Sequence, residues 1–375
     1  MKTSELLLNK NIKVLSSTHV AMLEIHCSGT PYEIGRKHGL EARDRVHGSL
    51  AFYGGLFKTT CNLDWPSVCE EASKYVATLE RLCPKYFGEI RGIAEGAEVG
   101  LLDVVALNVR TEINFGLFTK QPSLPIQSDG CTSLAVRTTK EGSWLAQNWD
   151  WMVEQSPNLI ACHIAQDGLP KISMITEAGI IGKIGFNSAG VGVCLNAIRA
   201  YGVDHTKLPI HLALRTVLES GSKEEGIDRL TKTGVAGSGH ILVADSTGGT
   251  GLECTSKGIL KIPMDSQGLV VHSNHLLLEH PGVVEPPWLQ DSRERVVRLR
   301  ELAEKHLSEG NDVNTPELFD LFKDQKGYPG AINRHQVQDC KTQTLFNIIM
   351  HLPEKRATVT FGRPTEDGEQ IQFSL

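Results

Sequence analysis

The strongest constraint on this chain is the order of its patterns. Helical periodicity fills the first third, short apolar runs fill the middle, and a proline-broken joint separates them. Spacing predicts helices over Tyr32–Val46 and Trp65–Leu82, a helix begun at Pro84 that runs through Phe87, Ile90, Ile93 and Ala97, and a short one over Leu101–Leu107. The joint is Gln121-Pro122-Ser123-Leu124-Pro125, where two prolines exclude both a helix interior and a central strand. Predicted strands follow at Thr132–Val136, Trp144–Asn148, Leu159–Ile164, Ile172–Thr176, Ile180–Phe186 and Val191–Asn196. Helices are expected at His211–Glu219, Lys223–Leu230, Asp291–His306 and Pro316–Phe322, and further strands at Ile241–Ala244, Leu269–His272, Thr344–Met350, Thr358–Phe361 and Ile371–Phe373. Neighbouring strands joined by glycine turns, in blocks separate from the helices, indicate an α+β protein with antiparallel sheets rather than alternating βαβ units. Residues 1–21 read as a leader outside the fold.

Composition excludes several functions. The 375 residues carry 38 basic and 44 acidic side chains, a net charge of −6, so the chain is not a wholesale nucleic-acid binder. A hydrophobic fraction of 40% and a charged fraction of 22% belong to a folded protein. No apolar run reaches the roughly 18–20 residues that span a bilayer. The three leucines near the N-terminus are too few for a secretory signal. Nine scattered cysteines without a CxxC pair argue against a zinc ribbon or a thioredoxin motif, and for a cytoplasmic protein. His272 and His275 are spaced like metal ligands. Without a recognisable cysteine or acidic partner set they are not expected to hold zinc.

The chemistry concentrates at Ser128-Asp129-Gly130-Cys131-Thr132-Ser133, just after the joint. Gly130 has no side chain to block attack on its carbonyl. Cys131 can attack that carbonyl, take over the acyl group as a thioester and lose it to water. The cut leaves Cys131 as a new N-terminus whose amine, with a pKa near ~7.7–8.0, can serve as base for its own thiol. A buried, inert cysteine is the alternative that the residues alone leave open.

Several segments together resemble one family. DGCTS at the junction, QNWDW, ITEAGIIGKIGFNSAGV, VHSNH, TLFNII and FGRPT are similar to the fungal acyl-coenzyme A:isopenicillin N acyltransferases, as are GTPYEIGRKHG (29–39), KYFGEIRGIAEGAE (85–98) and LNVRTE (107–112). The resemblance runs from Met22 to about Phe373. It implies an N-terminal-nucleophile hydrolase, a four-layer αββα sandwich of two antiparallel sheets. It also implies a proenzyme cut before Cys131 into fragments 1–130 and 131–375 that stay together as a heterodimer.

The same resemblance implies roles. Cys131 is the nucleophile of cutting and of catalysis. Asp150 holds the freed amine, Asn274 donates to the oxyanion, and Asn196 is a second candidate donor. Where the family carries an arginine this chain has Lys341, so recognition of a substrate carboxylate falls to Lys341 or to Arg334 in the INR triplet. Arg110 and Glu112 form a supporting network behind the site. The implied reaction is acyl transfer from a small-molecule donor, such as acyl-CoA as cosubstrate, to a small-molecule amine acceptor. No metal or redox cofactor is implied. Hydrolysis of N-acyl amino acids or N-acyl amines, or an inactive uncut binding homologue, are the alternatives. The family's peroxisomal ending has a basic middle residue; here the chain ends Phe373-Ser374-Leu375, which favours the cytoplasm.

Overall fold

The computed structural model describes residues 22–117, 130–338 and 340–375. The leader and the proline joint lie outside the described residues. The chain opens with β1 (Leu23–Ser28) and a run of helices: α1 (Pro31–Glu41), α2 (Arg43–Thr60), α3 (Trp65–Ser73), α4 (Val76–Leu82), α5 (Pro84–Ala97), α6 (Leu101–Asn108) and α7 (Arg110–Gly116). Six strands follow: β2 (Gly130–Thr138), β3 (Gly142–Met152), β4 (Leu159–Ala165), β5 (Ile172–Glu177), β6 (Ile184–Asn187) and β7 (Gly192–Ala197). Next come α8 (Ile210–Leu218), α9 (Lys223–Thr233), β8 (Gly239–Asp245), β9 (Gly248–Thr255), β10 (Gly258–Pro263) and β11 (Leu269–His272). The chain closes with α10 (Asp291–Ser308), α11 (Thr315–Leu321), β12 (Thr342–His351), β13 (Arg356–Phe361) and β14 (Gln370–Ser374).

One sheet has the order β1-β4-β5-β6-β7-β8-β9-β10 and the other β11-β2-β3-β12-β13-β14. They face each other through β2 and β3 of the second sheet and β7, β8 and β9 of the first. Helices α2, α8 and α9 cover the outer side of the first sheet, and α10 and α11 the outer side of the second. The result is a four-layer αββα sandwich. One correction concerns the sheets: β1 pairs with β4 in parallel, so the first sheet is mixed.

Because both sheets are covered on both sides, their central strands read as continuous apolar runs. In β2 every residue from Gly130 to Val136 is buried. The pleat divides them. Cys131 and Ala135 join the core cluster that fills the space between the sheets. Leu134 and Val136 pack with Leu299 and Ala303 of α10 instead. On the helical side, α1 and α5 touch backbone to backbone. A Cβ on Gly35 would lie 1.9 Å from the Glu89 carbonyl oxygen, and one on Gly92 would lie 2.2 Å from that of Tyr32.

Boundaries differ from expectation where tertiary contacts overrule local pattern. The helices expected over 32–46 and 65–82 each divide in two, at Ala42 and at residues 74–75. The strand expected over 180–186 begins only at Ile184, because Gly179 turns at φ +95° and Gly182 lies against the backbone of α8. Strands β9 and β10 went unpredicted because glycines crowd residues 248–258, and β1 and α7 were also missed. No described helix is long and apolar enough to cross a membrane.

Candidate active site

The Gly130–Cys131 bond lies at the very start of β2, where Gly130 pairs with Asp150 and Cys131 with Trp149. The pleat therefore sets the two halves of the junction on opposite faces. Gly130 and Thr132 face α10, whereas Cys131 faces the space between the sheets and is 1% exposed.

Among the described residues, Asn274, Arg295 and Ser273 hold the Cys131 peptide. Its N–H donates to Asn274 Oδ1 at 2.8 Å. Its carbonyl accepts from Arg295 Nη1 at 2.8 Å and from Ser273 Oγ at 3.1 Å. Asn274 follows β11, the neighbour of β2, which is why it reaches this backbone. Arg295 Nη2 also donates to Asn274 Oδ1, at 2.9 Å. The guanidinium thereby fixes the flip of the amide, and Asn274 Nδ2 points away to the Ala197 carbonyl at 3.0 Å.

Gly130 is pinched on the other face. A Cβ there would stand 2.5 Å from Arg334 Nε and 2.8 Å from Asp150 Oδ2, so only glycine fits without displacing a charged pair. Asp150 is fully buried. Its Oδ1 accepts from Thr344 Oγ1 at 2.7 Å, and its Oδ2 lies 3.5 Å from Arg334 Nε without a hydrogen bond. Burial pushes the Asp150 carboxyl up to about 7, against the pull of Arg334 and Arg295. Asp291, at the start of α10, ion-pairs with both Arg295 and Arg334 and ties the two arginines together.

This constellation can be set beside known proteins. A family model described as acyl-coenzyme A:6-aminopenicillanic acid acyl-transferase matches residues 137–366. The 40 kDa form of the acyl-coenzyme A:6-aminopenicillanic-acid-acyltransferase of Emericella nidulans is 38% identical over 357 residues, 94% of this chain and 96% of that protein. The chain belongs to the acyl-coenzyme A:6-aminopenicillanic acid acyltransferase family. Solved structures are similar at low identity. A mutant form of the conjugated bile acid hydrolase of Clostridium perfringens is 12% identical, with a TM-score of 0.47 over 65% of this chain and 92% of that chain. A Caenorhabditis elegans orthologue of N-acylethanolamine-hydrolyzing acid amidase is 16% identical, with a TM-score of 0.46 over 65% of this chain and 100% of that chain.

Within this acyltransferase-family chain, the other expected residues divide. Arg334 lies at the junction, 1% exposed, whereas Lys341 is exposed at the entry to β12. Asn196 sits one pleat repeat further along. Its Oδ1 accepts from Ser133 Oγ at 2.7 Å and pairs with His240 Nδ1 at 2.9 Å. Its Oδ1 is thus engaged by Ser133 and His240, while its Nδ2 is buried without a hydrogen bond and keeps its donor capacity. Arg110 and Glu112 are both buried and engage different partners. Arg110 Nη2 donates to Glu177 at 2.8 Å, and Glu112 accepts the Ile210 N–H at 2.7 Å. Burial pushes Glu112 up to about 7. His272 and His280 both engage a buried carboxylate, Glu253, at 2.9 and 3.0 Å. Glu253 also accepts the N–H groups of Leu277 and Leu278, which pins the loop that follows Asn274.

Two residues at the site were missed. Arg295 was hidden in a helix read only as charge-rich, although it shares the buried stripe of Ser292, Leu299 and Ala303. Lys183 was read as part of a strand. It is fully buried, ion-paired with Glu177, and its Nζ lies 3.7 Å from the ring centre of Trp149, the cross-strand partner of Cys131. Glu177 carries one charge and faces two cations, Arg110 and Lys183. Arginine keeps its proton, so lysine is the surplus cation in this dry layer. Burial lowers Lys183 to about 7, Glu177 and a charge on Cys131 act to raise it, and Arg110 lowers it.

Proposed function

We propose that this chain cuts itself between Gly130 and Cys131 and then moves an acyl group, from acyl-CoA, to an amine of a peptide or amino-acid-derived metabolite through a thioester on Cys131. The observation that carries this reading is the grip on the junction. Asn274 and Arg295 hold the Cys131 peptide, while Asp150 and Arg334 close on Gly130.

In the uncut chain the Cys131 nitrogen is an amide and cannot act as a base. Lys183, on the same inter-sheet face as the thiol, takes the thiol proton in its neutral form. The thiolate sulfur bonds to the Gly130 carbonyl carbon, and the bond from that carbon to the Cys131 nitrogen breaks. The proton passes from Lys183 to the leaving nitrogen. Water then hydrolyses the thioester, giving the Gly130 carboxylate and the free Cys131 thiol. Asp150 lies on the opposite face of β2 from the thiol, which suits it to the nitrogen rather than to the sulfur. An amide offers one N–H, already given to Asn274. The freed amine offers more, and Asp150 Oδ2 is a buried acceptor without a hydrogen bond.

In the mature enzyme that amine accepts the thiol proton. Asn274 Nδ2, once drawn off the Ala197 carbonyl, is the side-chain donor for the oxyanion. A cavity of about 320 Å³ adjoins Asn274, lined by Pro286, Pro287, Trp288 and Arg293. Phe115 lies 5.5 Å from the Trp288 ring and 6.2 Å from that of Trp151, an aromatic path suited to an apolar acyl chain.

The test is product analysis by mass spectrometry after incubation with an aryl- or alkyl-acyl-CoA and 6-aminopenicillanic acid or other amines. Transfer predicts acylated amine and free CoA in equal amounts. Free acid without acylated amine would overturn transfer in favour of hydrolysis. Turnover of neither acyl-CoA nor N-acyl amines would contradict an enzymatic role.

A further inference from the structure

A second cluster of chemistry-bearing side chains lies far from Cys131 in sequence, at the outer end of the first sheet. Alternation along β1 puts Glu24 and His26 on one face. The parallel register of β1 with β4 then sets His26 directly beside His163. The two imidazoles stack with centroids 4.5 Å apart and planes 13° from parallel. Glu24 Oε1 lies 3.4 Å from His26 Nε2 and 3.0 Å from His163 Nε2.

We propose that Glu24, His26 and His163 form a binding site for a divalent transition metal of the zinc class. One ligand atom from each of the three side chains falls within 4.8 Å of the others. Zinc bound at ~2.0–2.2 Å needs only rotamer-scale closure of such a set. Two imidazoles and one carboxylate select zinc-like ions over magnesium or calcium, which prefer all-oxygen ligands.

The outer partners are also in place. Ser173, paired with His163 across β4 and β5, has its hydroxyl 2.8 Å from His163 Nδ1. A proton kept on Nδ1 by that hydroxyl leaves Nε2 as the lone-pair nitrogen facing the site. The Phe373 ring meets His163 edge-on at 4.9 Å and limits its rotation. A plain surface ion pair accounts less well for the geometry, because His163 Nε2 is buried and its approach to Glu24 is not aligned as a hydrogen bond.

The placement gives the metal a task. Glu24 and His26 precede the Gly130–Cys131 junction, and His163 and Ser173 follow it. A bound ion would tie the two fragments together after cutting. That consequence rests on the proposed cut; the binding itself does not.

The experiment uses tag-free, chelator-stripped protein titrated with Zn²⁺ by calorimetry and with Co²⁺ by absorption. The wild type is expected to bind one equivalent. His26→Ala and His163→Ala should each weaken that binding by at least 100-fold, and Ser173→Ala by about 10–100-fold. His26 is largely exposed, so its variant should fold normally. Cut protein titrated with urea should release its 1–130 fragment at higher urea with Zn²⁺ than with chelator, and His26→Ala should abolish that difference. Equal binding by the wild type and both histidine variants, or no saturable binding by the wild type, would overturn the site. Zinc binding with no effect on fragment release would overturn the tie alone. An uncut wild type would remove the cutting step while leaving the binding result to stand.

Discussion

Lys183→Arg will leave the chain uncut. Arginine preserves the positive charge against Glu177 and Trp149 but cannot give up its proton to become a base. Lys183→Met removes both charge and base, and Glu177 then keeps Arg110, Tyr53 and Gln155 as partners. Loss of a positioned base slows a proton-transfer step by about 10²–10⁴-fold. Both variants should therefore accumulate full-length, folded chain, read by denaturing electrophoresis and circular dichroism.

The pH dependence has a definite sign. With Lys183 as the proposed base, the active form is neutral lysine, and burial lowers Lys183 to about 7. The wild-type cutting rate should rise as pH rises through about 7, and at one unit below the midpoint only about a tenth of the molecules hold the base form. If Lys183→Arg cuts at the wild-type rate with the same pH profile, Lys183 is not the base. If Lys183→Arg cuts and Lys183→Met does not, its charge matters and its proton does not.

Arg295→Met carries the second large effect. Its guanidinium donates to the Cys131 carbonyl, Thr132 Oγ1, Asn274 Oδ1 and Asp291 Oδ2, all from a 2% exposed side chain. Removing one partner from a buried charge network costs about 3–5 kcal/mol. The urea midpoint should fall accordingly. Cutting should slow by more than ~100-fold, because Asn274 loses the group that orients its amide. Arg295→Lys separates the two effects. It keeps charge against Asp291 but cannot span the Cys131 carbonyl and Asn274 with one planar fork. It should recover most of the stability and little of the rate. Recovery of both would mean that Arg295 acts through charge alone.

What the sequence disclosed follows from how each residue acts. Gly130, Cys131, Asp150 and Asn274 stand in short motifs that carry the family resemblance, and the structure brings all four to one junction. Arg334 could be named but not preferred to Lys341, because both lie on irregular segments near β12. Burial beside Asp150 separates them. Asn196 was named from the family resemblance. The packing of β7 against β2 sets its Oδ1 on Ser133 and leaves its Nδ2 without a hydrogen bond, which no local pattern shows. Lys183 and Arg295 act through contacts between layers, and periodicity within one element says nothing of what a side chain meets in the next. Arg295 did leave a trace, since an arginine stands on the apolar stripe of α10. Fold class was readable from the segregation of helices and strands. The parallel β1–β4 pair was not, because it joins residues 23–28 to residues 159–165 with no local signal.

The most direct test of self-cutting by Cys131 is the intact mass of the purified wild type beside Cys131→Ala. Two wild-type fragments are expected, of 130 and 245 residues (375 − 130), and one 375-residue chain in the variant. A wild type that stays whole across the pH range, a cut at another bond, or the same two fragments from Cys131→Ala would contradict it.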